Sequence, residues 1–131
     1  MQVLGSSSIL EQSEYNHHKI LVVKRQMPME NSEIRTWYCG YVSRNRIDEK
    51  VKLNVSPKEV YDFLDENATC IGGITYHGQL TDPVNFMGDV IGFDTCIPAF
   101  NNIDPEIVIE STRELCDQLV EFENKHILTY R

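Results

Sequence analysis

Positive charge is scarce in this chain. Against 20 Asp and Glu stand only 12 Lys and Arg, a formal net charge of −8 at pH 7. That balance argues against a protein built to wrap DNA or coat an anionic membrane, since both need a surplus of cations to replace released counterions. Paired cysteines are missing too. Cys39, Cys70, Cys96 and Cys116 lie far apart with no C-x-x-C spacing, which is the usual start of a structural zinc site. Each sits in or beside an apolar run, so four free thiols in a reducing compartment are expected. No Walker loop and no G-x-G-x-x-G stretch occurs. No apolar run is long enough to span a bilayer, and no charged N-terminal region precedes an apolar one. The expected location is the cytoplasm, with neither DNA nor membrane as partner. No cofactor motif is present either, and none is expected.

What is present fits one domain. A chain of 131 residues buries roughly two thirds of its surface on folding. Residues 1–17 are polar and carry Gly5-Ser6-Ser7-Ser8, which predicts a mobile arm before a single domain over 18–131. The β-branched stretch Lys19 to Met27 predicts a strand, Pro28 to Ser32 a turn, and Ile34 to Ser43 a returning strand. Val51 to Val55 alternates as a short half-buried strand would. Ser56-Pro57-Lys58-Glu59 then combines an N-cap, a first-turn proline and a capping-box glutamate, so a short helix follows and stops near Asn67. Asp104-Pro105 opens a second helix by the same logic, while Ser111 to Glu114 leaves a later start open. Val108, Thr112, Leu115, Cys116, Leu119 and Phe122 recur at helical spacing and form its core face. The reading is an α+β fold of about five mostly antiparallel strands, one short helix and a long C-terminal helix packed across the sheet.

Between the two helices lies the most unusual stretch, Cys70 to Cys96. It reads as two strands that carry glycine where a side chain belongs: Gly72-Gly73 in one and Gly92 in the other. Glycine inside a strand marks a bulge or a close approach by a ligand or another backbone. Polar and aromatic groups gather beside these glycines. Gly72, Gly73, Thr75, Tyr76, Phe93, Asp94 and Thr95 are the candidate ligand-binding residues, joined by Arg113 from the C-terminal helix. In this scheme Phe93 or Tyr76 stacks a base, Asp94 and Thr95 hydrogen-bond base or ribose, and Arg113 meets a phosphate. The bland alternative for Arg113 is a pair with Glu110 or Asp117 on its own helix. The long loop from Gly78 to Gly88 is placed to close over the site. A second place for an anion is the basic stretch from Arg35 to Lys52, with Arg35, Arg44, Arg46, Lys50 and Lys52 against Asp48 and Glu49.

Catalysis has weaker support. Cys39, His77 and Asp94 offer the residue types of a nucleophile, a base and an orienting carboxylate, but Cys39 lies within an apolar aromatic strand that suits a core thiol. His77, Asp94 and Cys96 lack the close pairing of a metal set, and the adjacent His17 and His18 point apart on a strand. No catalytic residue and no metal ligand is assigned, and the chain is read as a binding protein rather than an enzyme.

Four segments also resemble a family of small phage and prophage proteins. That family shares C-G-Y-V, then H-G-G-[LI]-T-[YF], then W-[FI]-G-F-D-C-A-H, then a helix with an L-x-x-Q-L type pattern. Here stand Cys39-Gly40-Tyr41-Val42, Gly72-Gly73-Ile74-Thr75-Tyr76, Ile91-Gly92-Phe93-Asp94-Thr95 and Leu115-Cys116-Asp117-Gln118-Leu119. The resemblance covers roughly residues 37 to 120. Two histidines of the pattern are missing, replaced by Ile71 and Ile97, so a mechanism through them does not carry over and a binding role survives better. The chain is similar to the phage anti-Thoeris proteins that sequester cyclic ADP-ribose immune signals. The resemblance implies a homo-oligomeric sponge, at least a dimer, that holds a small cyclic nucleotide in the host cytoplasm without cleaving it. The competing expectations are an inhibitor that binds a host defence protein directly, through its acidic C-terminal helix, and a small hydrolase.

Overall fold

Four consecutive apolar residues, Ile20 to Val23, are completely buried. A strand whose two faces are both covered has that continuous pattern, and it marks the middle of a sheet. The computed structural model, which describes residues 6–48, 51–80 and 88–129, places them in β2 (His18–Pro28). On one side β2 pairs with β1 (Ser6–Tyr15), on the other with β3 (Ile34–Ser43). Beyond β3 come β6 (Asp89–Asp94) and then the edge strand β5 (Tyr76–Gln79). The sheet order is β1-β2-β3-β6-β5 and every pairing is antiparallel. Two short strands, β4 (Lys52–Leu53) and β7 (Ile127–Thr129), form a separate ribbon. The mixed fold of five antiparallel strands, a short helix and a long C-terminal helix is the one the sequence predicts.

Both helix starts are as written in the sequence. Helix α1 (Pro57–Asn67) has Ser56 as N-cap, with the Glu59 amide donating to its hydroxyl and the Glu59 side chain returning to the Ser56 amide. Helix α2 (Pro105–Asn124) is capped by Asp104, whose carboxylate accepts from the Glu106 amide. Its six predicted core residues are all buried. Both helices cover one face of the sheet, packing on Ile20, Val22, Val42, Ile91 and Phe93. The other face carries a smaller cluster of Leu21, Val23, Cys39, Tyr41 and Val90. Among the described residues, no helix is long and apolar enough to cross a membrane.

Two expectations need correction. The residues read as a mobile arm form β1 from Ser6 onward, paired with β2 as far as Tyr15 opposite His18. Asn16 and His17, both at positive φ (47° and 72°), make the two-residue turn that joins them, a geometry whose twist matches that of the strands. Residues 1–5 of that arm lie outside the described residues. Gly72 and Gly73 are not strand residues either. Both have positive φ (70° and 76°) and lie in a turn before β5, which begins only at Tyr76. Gly40 does sit within a strand, for the reason expected of a close approach. A Cβ there would lie 2.1 Å from the Thr112 hydroxyl and 2.6 Å from the Phe93 ring, so its absence lets α2 settle directly on β3.

Candidate functional site

Strand β6 and its continuation place several candidate residues together. Thr75 donates its amide to the Gly92 carbonyl, and its hydroxyl lies 3.4 Å from the Asp94 carboxylate. Asp94 also accepts from the Cys96 amide at 3.0 Å. The Gly72 turn comes against the Asp94 carbonyl and the Phe100 ring, 3.7 and 3.6 Å from where a Cβ would stand. Thr95, buried, bonds the Tyr38 main chain twice: its hydroxyl accepts from the Tyr38 amide and its own amide donates to the Tyr38 carbonyl. Gly72, Thr75, Asp94 and Thr95 are therefore neighbours. Gly73 faces open space beside them.

Other candidates fall elsewhere. Phe93 is 1% exposed and belongs to the core beneath the helices. The period of two that puts Asp94 and Gly92 on one face puts Phe93 on the other, so it stacks no ligand. Arg113 is on the wrong flank of α2. Ser111 turns toward the residue 69–71 segment and accepts from the Ile71 amide. Two residues on, roughly 200° around the helix, the Arg113 guanidinium reaches β1, donating to Glu11 at 3.1 Å and lying over the Tyr15 ring. Neither reading of Arg113 from the sequence foresaw this, because β1 had been taken for an arm. Tyr76 lies opposite Gly92, its ring edge-on to Tyr41 and its hydroxyl bonded to the Gln79 carbonyl. Most of the loop from Gly78 to Gly88, expected to close over the site, lies outside the described residues.

Next to this cluster is a groove of about 960 Å³. It exists because the chain leaves the sheet after Thr95. The Ile97 amide folds back on the Thr95 carbonyl, and Pro98–Phe100 form a 3-10 turn. Strand β3 meanwhile runs on, past the end of β6, to Ile34. The groove lies between this overhang and the turn. Thr36, Tyr38 and Arg35 line one wall, and Phe100, Asn101 and Asn102 the other, with Glu30 and Glu33 also contributing. Arg35 crosses at the back to the Cys96 carbonyl at 3.4 Å. The Phe100 ring joins the two regions, with Gly72 on one side and the groove on the other. Of the residues read as candidates, then, the group around Asp94 backs the groove, while the lining comes from residues not singled out, apart from Arg35 of the basic stretch.

The Cys39, His77 and Asp94 set is not assembled. Cys39 packs with Tyr41 on the open face, whereas His77 pairs with Ile91 on the helix face and stacks on Tyr61 at 3.8 Å between centroids. Burial raises the Cys70 thiol to about 11 and the Cys116 thiol to about 12, so neither is a thiolate at neutral pH. Among the described residues, no three His, Cys, Asp or Glu side chains gather as a metal site would require.

A second polar cluster went unread in the sequence. His18, fully buried, bonds the Ser43 carbonyl through Nδ1 and the Glu123 carboxylate through Nε2, both at 2.7 Å. Arg46 also donates to Glu123 at 3.1 Å and forks onto Asp48 at 2.8 and 2.9 Å. The Asp48 carboxyl is held below its usual range, mainly by that guanidinium. Arg44 is likewise paired, to Asp89 at 2.9 Å. These arginines of the basic stretch are committed to internal carboxylates, which leaves Arg35 as the one that lines the groove. No protein-family model matches the chain, nor does any curated protein or solved structure.

Proposed function

We propose that the protein captures a small cyclic nucleotide, of the cyclic ADP-ribose kind, in the groove between the β3 overhang and the Pro98–Phe100 turn, and holds it without cleaving it. The observation that carries this reading is the groove's size and lining. A space of about 960 Å³ lies at the upper end of small-ligand sites. Its walls pair two aromatic rings with a guanidinium and three carboxamides. Tyr38 and Phe100 are suited to stack a base, Arg35 to meet a phosphate, and Glu30 and Glu33 to accept from ribose hydroxyls. The resemblance to phage proteins that sequester immune signals supports an anti-defence role in the host cytoplasm, exercised as a homo-oligomer of at least two chains.

The test is ligand recovery. The folded protein is incubated with a panel including cyclic ADP-ribose and 3′,5′-cyclic AMP, separated from free ligand, denatured, and the released compound weighed. Release of an unchanged nucleotide is the expected result. A product of altered mass makes the protein a hydrolase. No uptake overturns the reading and favours the inhibitor alternative, for which the structure offers one observation: Glu106, Glu110, Glu114, Asp117 and Glu121 line the exposed side of α2.

A further inference from the structure

We infer that the base of the captured nucleotide is read by the main chain of β3, through the amide and carbonyl of Thr36. This rests on the nucleotide reading above and deepens it. In an antiparallel strand, N–H and C=O of one residue point to the same side, and the side alternates along the chain. Tyr38 sends both groups toward Thr95, at 3.0 and 2.9 Å. Two residues earlier, Thr36 must send both of its groups the same way, and Ile34 likewise. Thr36 would next face Ile97, but there the chain has already turned back on Thr95 and entered the 3-10 turn. Among the described residues, nothing accepts from the Thr36 amide or donates to its carbonyl on that side. The gap where a strand would have continued is the groove itself, and Thr36 lines it.

The length of the open edge selects the occupant. It is closed at one end by Thr95 and at the other by the β2–β3 turn, so from Ile34 to Tyr38 it spans only about 14 Å. That is short for an added strand but ample for a planar heterocycle. A nucleobase presents an acceptor and a donor side by side on its Watson–Crick edge. In an adenine whose N1 is free, as in 3′,5′-cyclic AMP, N1 accepts from the Thr36 amide while the N6 amino group donates to the Thr36 carbonyl; in cyclic ADP-ribose N1 carries the second ribose, so only the contact to the carbonyl is left. Stacking on Tyr38 or Phe100 would hold the ring in that plane. Because recognition is by main chain, no side chain at position 36 is needed, and the sequence alone gives no sign of it.

The test removes one main-chain donor. Thr36→Pro deletes the amide on the open side, where proline is tolerated because the ladder to β2 uses the other residues. Thr36→Val keeps the amide and loses only the hydroxyl. Affinity for 3′,5′-cyclic AMP is measured by calorimetry, together with its 1-deaza analogue, which lacks the N1 acceptor, and with cyclic ADP-ribose, whose N1 is bonded to its second ribose and accepts nothing. For 3′,5′-cyclic AMP the expected result is about tenfold weaker binding by Thr36→Pro, wild-type binding by Thr36→Val, and an equal loss for the 1-deaza analogue that the proline adds nothing to; cyclic ADP-ribose binds Thr36→Pro as it binds the wild-type protein. Unchanged affinity of a folded Thr36→Pro variant for 3′,5′-cyclic AMP, or no binding of that nucleotide where cyclic ADP-ribose binds, overturns the inference and leaves nucleotide capture standing. Should that variant not fold, full-strength binding of the 1-deaza compound to the wild-type protein overturns it equally. Failure of the wild-type protein to bind either natural nucleotide overturns both readings together.

Discussion

At the scale of single residues, burial sets the titration of two thiols and a phenol. Cys70 and Cys116 are thiols that burial keeps protonated, with values raised from 9.0 to about 11 and about 12. Tyr41, under the same influence and despite its bond from Arg25, is raised from 10.0 to about 12. The sign of the consequence is fixed by linkage. Above pH 9 the unfolded chain gives up these protons while the folded chain keeps them, so the unfolded state binds fewer protons and stability falls as pH rises. The contribution is complete below pH 9 and is lost progressively from there to about pH 12. Urea midpoints measured from pH 8 to pH 11 should decline steadily, and Cys116→Ala should flatten the decline. A midpoint that holds level across that range would show that these groups titrate alike in both states. Cys96 is only half-buried and lies beside the groove, bonded through its amide to Asp94.

At the scale of elements, the contact between β3 and α2 decides how closely helix and sheet approach. It depends on Gly40, because the Thr112 hydroxyl and the Phe93 ring fill the volume a side chain would take. Thr112 is itself fixed, its hydroxyl donating to the Val108 carbonyl one turn earlier. Gly40→Ala therefore forces α2 outward. Overpacking of this kind costs about 1–3 kcal/mol, which should appear as a lower thermal midpoint with the fold retained. Adding Thr112→Ala removes the nearer clash and should restore part of the loss, since residues in contact couple rather than add. Additive destabilisation by the two changes would mean that the helix does not rest on Gly40 as described. The capping of α1 and the start of α2 were legible from local sequence because an N-cap bond spans only two or three residues. Strand β1 was not legible. Its outward faces are almost wholly exposed, so it lacks an apolar alternation, and it is a strand because β2 provides a ladder for it.

At the scale of the whole molecule, charge and sheet edges govern encounters. A net charge of −8 repels a nucleotide at long range, and the groove holds a guanidinium to overcome this only at close quarters. Salt screens the first effect more than the second. Association of cyclic ADP-ribose should consequently speed up as ionic strength rises from about 20 to 200 mM, a window over which the Debye length falls from about 20 to 7 Å. Stopped-flow rates that drop with salt would instead indicate steering by a basic surface, contrary to the groove assignment. Among the described residues, the five-stranded sheet ends in two edges with no further strand, β1 with ten residues and β5 with four, while Met27, Met29 and Ile34 are exposed near the groove. Open edges and exposed apolar groups invite pairing of copies, and light scattering at micromolar concentration is expected to give at least a dimer.

Local chemistry carried what the sequence alone determined. A capping box, prolines at helix starts, the doubly buried run in β2 and the helical spacing of α2 each depend on residues a few positions apart, and they suffice for the fold class. The site depended on contacts across the chain. Phe93 and Asp94 are adjacent, yet one is core and the other faces Thr75, and only the layering of helices on one face of the sheet decides which. Arg113 was read as a ligand contact and is tied to Glu11, 102 residues away. His18 and Glu123, 105 residues apart, share a buried bond that no spacing announces. The groove itself is made by a mismatch of lengths: β3 runs on where β6 turns away. A strand's own sequence records its alternation and its ends, but not where its neighbour stops, and that was left to the tertiary structure.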